Sequence, residues 1–173
     1  MALDGIRVAV IGAGVGGLAA ACALARRGAE VTVLEQAHEI SEVGAGLQVS
    51  PNGFAVLAAL GLGAALRGPA VRGRAVSLRD YRGDEVLRLD LDRLARRDFW
   101  FVHRADLIEL LAQAARDAGV RIRLLQKVAQ VVPGAPPKVK LANGAVVHAD
   151  LVVGADGLNS KVRPAVDGPS RAS

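Results

Sequence analysis

Six residues near the amino end, Gly12-Ala13-Gly14-Val15-Gly16-Gly17, satisfy the spacing GxGxxG. In such a segment the three spaced glycines serve a tight turn, close approach of the backbone to a pyrophosphate, and packing of a helix on a strand. The helix that follows turns its unpaired N–H groups and positive dipole end toward the phosphates, so an anion is held without a basic side chain. Glycines also simply end strands, but here they follow a strand, open a helix and precede an acid. That acid is Glu35, eighteen positions beyond Gly17 and followed by Gln36. A carboxylate about 20 residues on is placed to accept a ribose hydroxyl; the competing reading is a solvated glutamate at a strand end. A carboxylate at this point repels a 2′-phosphate, which leaves FAD or NAD, and not NADP, as the bound nucleotide.

The elements that must position these residues are legible from periodicity. Ile6 to Ile11 is a short β-branched run, and Leu18, Cys22 and Ala25 then recur at helical spacing up to Arg27 and Gly28. Glu30 to Leu34 supplies a second strand apolar enough for burial on both faces, as a parallel strand requires. The chain therefore opens with a βαβ unit. A Gly- and Ser-rich loop is expected from His38 to Ser50, followed by a helix from Pro51 through Phe54, Leu57, Ala58 and Leu60 that ends near Gly61 or Gly63. Ala75 to Arg79 and Glu85 to Leu89 alternate apolar and polar residues around Arg82-Gly83-Asp84, the pattern of an antiparallel hairpin. Leu107, Leu110, Leu111 and Ala114 share a helical face that Gly119 terminates. Strands are expected at Val120 to Leu125, Val128 to Val132, Val139 to Leu141, Ala145 to Val147 and Leu151 to Val153, the last leading into Gly154-Ala155-Asp156-Gly157.

Composition narrows the class. A chain of 173 residues, 51% hydrophobic with a mean hydropathy of +0.30, suffices for one globular domain of α/β type and carries more apolar surface than a free-standing domain needs. The 22 Lys and Arg exceed the 17 Asp and Glu by five, but the arginines of residues 67 to 104 interleave with acids. That is a solvated surface and not a nucleic-acid footprint. The single cysteine, Cys22, cannot form a disulfide framework or a metal cluster, and a reducing, cytoplasmic setting is expected. No run approaches the roughly 18 to 20 apolar residues of a membrane span. His38, His103 and His148 have no metal-ligand partner nearby in sequence and read as surface or packing residues. Trp100 with Phe99 and Phe101 reads as core packing in preference to substrate stacking.

Three further blocks follow the phosphate loop in order: Gly44-Ala45-Gly46-Leu47-Gln48-Val49-Ser50-Pro51-Asn52, His103-Arg104-Ala105-Asp106-Leu107, and Gly154-Ala155-Asp156-Gly157 with Ser160 and Arg163. Together with GxGxxG and Glu35 they resemble the FAD-dependent aromatic hydroxylases related to hydroxybenzoate and salicylate hydroxylases, over essentially the whole chain. The resemblance implies a Rossmann-like FAD-binding domain with a central parallel sheet, plus an antiparallel hairpin belonging to a substrate domain. Residues 1 to 173 are then a truncated FAD-binding domain in which 70 to 102 belong to the incomplete second domain. It also implies FAD, held tightly or semi-tightly, as cofactor and NADH or NADPH as a transient one.

Each block has a physical reading beside the inherited one. Gly44 and Gly46 let the backbone pass close to a flat ring, and by resemblance this loop, with Leu47, runs along the ribityl chain and isoalloxazine; the plainer reading is a flexible loop. Arg104 opens a helix, where the dipole disfavours a cation, so something else should want it there; by resemblance that is the ribityl and pyrophosphate region. Asp156 sits at the carboxyl end of a strand, where open α/β sheets place ligands, and the family uses it toward both FAD and the nicotinamide. An aspartate capping its own turn is the alternative. Val128 matches the position whose backbone meets the adenine in relatives, Arg163 matches the family's motif arginine, and Lys161 is solvated.

Relatives of this kind reduce FAD with the nicotinamide, react it with dioxygen and hydroxylate a small aromatic, phenol-like ring. They continue past the equivalent of Ser173 through a second flavin motif of the Gly-Asp-Ala-Ala-His kind and the sheet that covers the substrate. The chain is therefore expected to stop within its parent protein, to be inactive in hydroxylation, and to self-associate through the orphaned hairpin. No catalytic side chain is assigned, and neither a metal, a nucleic acid nor a membrane is expected. Two other readings stay open: the NAD-binding domain of a dehydrogenase, and a non-catalytic nucleotide-binding fragment.

Overall fold

The computed structural model describes residues 2–40, 45–93 and 98–168. In chain order the elements are β1 (Arg7–Ile11), α1 (Val15–Ala25), β2 (Glu30–Leu34), β3 (Gly46–Val49), α2 (Pro51–Ala59), α3 (Gly63–Leu66), β4 (Val71–Arg72), β5 (Ala75–Arg79), β6 (Glu85–Asp90), a 3-10 turn at Leu91–Arg93, β7 (Trp100–His103), α4 (Arg104–Asp117), β8 (Arg121–Arg123), β9 (Val128–Val132), β10 (Lys138–Leu141), β11 (Val146–His148), β12 (Leu151–Gly154) and α5 (Arg163–Asp167). They group into two compact units, residues 1–41 with 111–173, and residues 42–110.

The first unit is built on a parallel sheet of order β12-β1-β2-β8. Its strands are short and β-branched, and β1 is buried on both faces from Val8 to Ile11, as a central parallel strand must be. Val8 and Val10 are buried, as are Leu18, Ala21 and Cys22 of α1. The small residues of this helix let it approach closely, and the Cys22 thiol reaches the Ala114 carbonyl of α4 at 3.9 Å. Ala9, Ile11 and Leu34 pack in one cluster with Val128, Val131, Val139, Leu141, Ala149 and Val162. The antiparallel sheet β11-β10-β9 supplies most of that second group. Each fully buried Leu or Val contributes on the order of 1.5–3 kcal/mol, and no polar residue is buried among the described residues.

At the other end of the sheet, Arg7 and Asp150 tie the starts of β1 and β12 together. Arg7 donates to Asp150 through its backbone N–H at 2.9 Å, Nε at 3.1 Å and Nη2 at 2.7 Å. Those hydrogen bonds, the side-chain one foremost, lower the Asp150 carboxyl to about 2 and raise the guanidinium.

The second unit holds a sheet of order β3-β7-β4 and the hairpin β5-β6. The hairpin matches the expected pattern nearly to the residue. Its turn is closed by Asp80, whose Oδ1 accepts the N–H groups of Arg82 at 2.8 Å and Asp84 at 3.0 Å, while Gly83 takes a φ of +93°. Leu78, Val86, Leu87 and Leu89 along it are all exposed. Residues 70–102, which the sequence sets apart, lie within this unit.

Three local expectations are corrected. The segment 38–50 is not wholly a loop, because Gly46–Val49 pairs antiparallel with Trp100–His103, from Gly46 opposite His103 to Val49 opposite Trp100. The eighth strand is shorter than Val120 to Leu125, since Leu125 turns to a φ of +57° and breaks the ladder. The buried stripe of α4 is Leu107, Ile108, Leu111, Ala112 and Ala115, with Leu110 and Ala114 only partly covered. Among the described residues no helix is long and apolar enough to cross a membrane.

Candidate nucleotide-binding site

In the first unit, β1 ends at Ile11 and the chain turns at Gly12, whose φ of +102° belongs to glycine. The Gly12 N–H donates to the Leu34 carbonyl at 2.9 Å, and the Ala155 N–H donates to the Ile11 carbonyl at 2.8 Å. The glycines of the loop divide by role. A Cβ on Gly12 would lie 2.5 Å from the Ala155 carbonyl oxygen, and one on Gly17 would run into the Gly12 carbonyl oxygen. These two are required by the protein's own packing. A Cβ on Gly14 or on Gly16 would meet nothing within 4 Å, and Gly14 has an ordinary extended backbone with φ −73° and ψ 178°.

Helix α1 begins at Val15 with no side-chain cap and no acid in its first turn. The N–H groups of Val15, Gly16 and Gly17 have no intrahelical acceptor, as in the first turn of any helix. They form a positive rim for an anion. Ala13 is buried, and its N–H is directed away from that rim, donating to Glu35 Oε2 at 2.7 Å. Glu35 Oε1 accepts the Ala37 N–H at 2.8 Å. The Glu35 backbone is pinned too, its N–H donating to the Arg123 carbonyl at 2.9 Å and its carbonyl accepting the Gln126 N–H at 2.7 Å. Glu35 is half-buried and Gln36 is exposed. The Val128 side chain is buried in the core with Leu34 and Leu141, so any contribution it makes to a ligand comes from its backbone.

Asp156 follows β12 and organises the turn beyond it. Its Oδ1 accepts the Ser160 hydroxyl at 2.7 Å, and its Oδ2 accepts the N–H groups of Lys161 at 2.6 Å and Val162 at 3.3 Å. Ser160 Oγ in turn accepts the Val162 N–H at 3.2 Å and the Arg163 N–H at 3.0 Å. Asp156 thus caps its own turn, as the alternative reading has it, which leaves its place beside a ligand untouched. A cleft of about 300 Å³ opens beside it, lined by Gly154, Ala155, Gly157, Ser160 and Arg163 among others.

In the second unit Gly46, Leu47 and Arg104 come together: Gly46 and Leu47 pair across the sheet with His103 and Val102, and the Arg104 N–H donates to the Ala45 carbonyl at 3.0 Å. Arg104 is the first residue of α4, and its Nε is out of reach of water. Gly44 lies outside the described residues. Trp100 stacks on Phe54 with ring centroids 6.1 Å apart, and the Arg67 guanidinium sits 5.2 Å from Phe54 and 5.8 Å from Trp100. Phe99 and Phe101 meet edge to face at 5.6 Å. Sequence reasoning missed Ala37 and Ala155, whose contributions are a backbone N–H and a backbone carbonyl and leave no side-chain signal.

A βαβ unit with an open glycine loop, an acid at the end of its second strand and a glycine-flanked turn beside its first defines a dinucleotide-binding α/β domain. Residues 5–172 match the model of the FAD binding domain. The chain belongs to that family. It is 39% identical over 168 residues to 3-amino-4-hydroxybenzoate 2-monooxygenase of Streptomyces cremeus, covering 93% of this chain and 42% of that protein. It is 38% identical over 176 residues to 3-hydroxybenzoate 6-hydroxylase 1 of Aquipseudomonas alcaligenes, covering 96% and 44%. Among solved structures, the tetrameric form of 2-methyl-3-hydroxypyridine-5-carboxylic acid oxygenase superposes with a TM-score of 0.83 at 30% identity, over 93% of this chain and 42% of that one. The chain thus spans less than half the length of the proteins it matches, and over that stretch the resemblance to FAD-dependent aromatic hydroxylases holds. The match is to an FAD domain and lends no support to the dehydrogenase reading.

Proposed function

We propose that this chain holds FAD, and that it is the FAD-binding portion of an NAD(P)H-dependent monooxygenase acting on a small aromatic substrate. The observation that carries the reading is Gly14. Neither its backbone conformation nor any neighbouring atom requires a glycine there, so the space above it is what the fold leaves for something else. A pyrophosphate at the start of α1 fits that space and the positive rim around it.

The site's residues divide the work. The N–H groups of Val15, Gly16 and Gly17 bind the phosphates, and the free lone pairs of Glu35 accept ribose hydroxyls. The Val128 backbone serves the adenine, and Gln36 borders the ribose. In the second unit, Gly46, Leu47 and Arg104 are the residues that the family resemblance gives to the flavin end. Asp156 and Arg163 border the flavin and the transient nicotinamide. Bound FAD supplies the redox chemistry, accepting electrons from the nicotinamide and passing them to dioxygen, while the protein orients it. We assign residues 70–102 to the substrate domain, and the hydroxybenzoates named for the relatives support a small phenol-like aromatic as the substrate class.

The purified chain is expected to take up FAD stoichiometrically in a titration followed by flavin absorbance. Absence of FAD association, with the fold intact by circular dichroism, overturns the reading. NADH and NADPH oxidation by the FAD-loaded chain then separates a redox-active domain from a nucleotide-binding module.

A further inference from the structure

We infer that Glu35 is a positioning residue that orders the phosphate loop, a role separate from any contact with the ribose. This rests on the FAD reading above. The carboxylate is bound at both oxygens by backbone N–H groups that flank the site: Ala13, inside the glycine loop, at 2.7 Å and Ala37, just past β2, at 2.8 Å. Ala13 stands between Gly12, which takes a left-handed φ of +102°, and Gly14, which has open space around it. Glycines on either side make this the part of the loop with most conformational freedom to lose. The hydrogen bond from Ala13 supplies a side-chain tether to it from the neighbouring strand. The tether is itself rigid, because the Glu35 backbone is held by the Arg123 carbonyl and the Gln126 N–H.

A carboxylate offers about four lone-pair sites. Two are taken by Ala13 and Ala37, and the remainder stay open to a ribose. The two roles therefore use different lone pairs of the same carboxylate. Removing the carboxylate frees the Ala13 N–H and lets the loop leave the geometry in which the N–H groups of Val15, Gly16 and Gly17 converge. The phosphates lose affinity even where the ribose has nothing to offer Glu35.

The test is a cycle between the residue and the ligand. FAD and an FAD analogue lacking both hydroxyls of the adenosine ribose are titrated into the parent chain, Glu35→Ala and Glu35→Gln. Loss of a charge-assisted hydrogen bond corresponds to about tenfold or more in affinity, and Glu35→Ala is expected to show that loss with the analogue as well as with FAD. Glu35→Gln keeps one acceptor and the side-chain volume, so it is expected to fall between parent and Ala. Amide exchange in the ligand-free chain provides a second readout, in which the Ala13 N–H is expected to exchange faster in both variants. A Glu35→Ala penalty that vanishes with the analogue overturns the inference, as does unchanged Ala13 exchange in Glu35→Gln should the Ala variant fail to fold. Failure of the parent chain to bind FAD overturns the underlying reading instead.

Discussion

Gly12 and Ala155 are in backbone contact: a Cβ on Gly12 would stand 2.5 Å from the Ala155 carbonyl oxygen and 3.3 Å from the Asp156 Cα. The first turn of the chain and the Gly-Ala-Asp-Gly turn some 140 residues later are thus one packed unit, and neither can shift without the other.

Gly12→Ala is expected to destabilise the fold by about 3 kcal/mol, since it combines a left-handed backbone with a clash against backbone atoms that cannot rotate away. Gly14→Val meets open space and is expected to cost only about 1 kcal/mol, the difference between glycine and valine ahead of a helix. It should nevertheless abolish FAD association. Thermal melts and FAD titrations of the two variants are the check, and equal FAD affinity in Gly14→Val and the parent would remove the phosphates from this loop.

Asp156→Ala removes the acceptor of three hydrogen bonds and is expected to cost about 2 kcal/mol, with Ser160→Ala costing about 1 kcal/mol. Chemical denaturation measures both. A double variant no worse than Asp156→Ala would confirm that the serine acts through the aspartate.

The Arg7–Asp150 pair predicts a specific acid response. The folded pKa of Asp150, about 2, lies below the carboxyl group's ordinary value of 3.8, so the pair's stabilisation is complete above that value and is lost as pH falls through about 2. Melting temperatures of the parent and Asp150→Asn should differ near neutrality and converge below about pH 2. A gap that does not change with pH would assign the effect to packing.

Arg67 lies over both Phe54 and Trp100 and also pairs with Asp98 at 3.7 Å. Arg67→Ala is expected to cost about 0.5–1 kcal/mol, the value of a partly exposed cation–π contact. Trp100 is the single tryptophan, so its fluorescence emission reports the change directly. An unaltered spectrum would place the guanidinium elsewhere in solution.

How much was legible in the chain follows from the range over which each signal acts. GxGxxG after a β-branched run, the acid at the end of the next strand, Pro51 at a helix start and the alternation from Ala75 to Leu89 are all local patterns. Backbone sterics and the two periodicities of helix and strand decide them within a few residues, and the βαβ opening, the hairpin and the start of α2 all stand where these patterns put them. Gly46–Val49 is different: four residues without a period become a strand only because Trp100–His103, more than fifty positions away, pairs with them. The same holds for Asp156, whose turn-capping role depends on Ser160 and Val162 folding back over it, and for the division of labour among the glycines, which is set by what each one faces across the fold. Hydrogen bonds from backbone groups such as Ala13, Ala37 and Ala155 carry no residue-type signature, so their partners exist only once the chain has closed on itself.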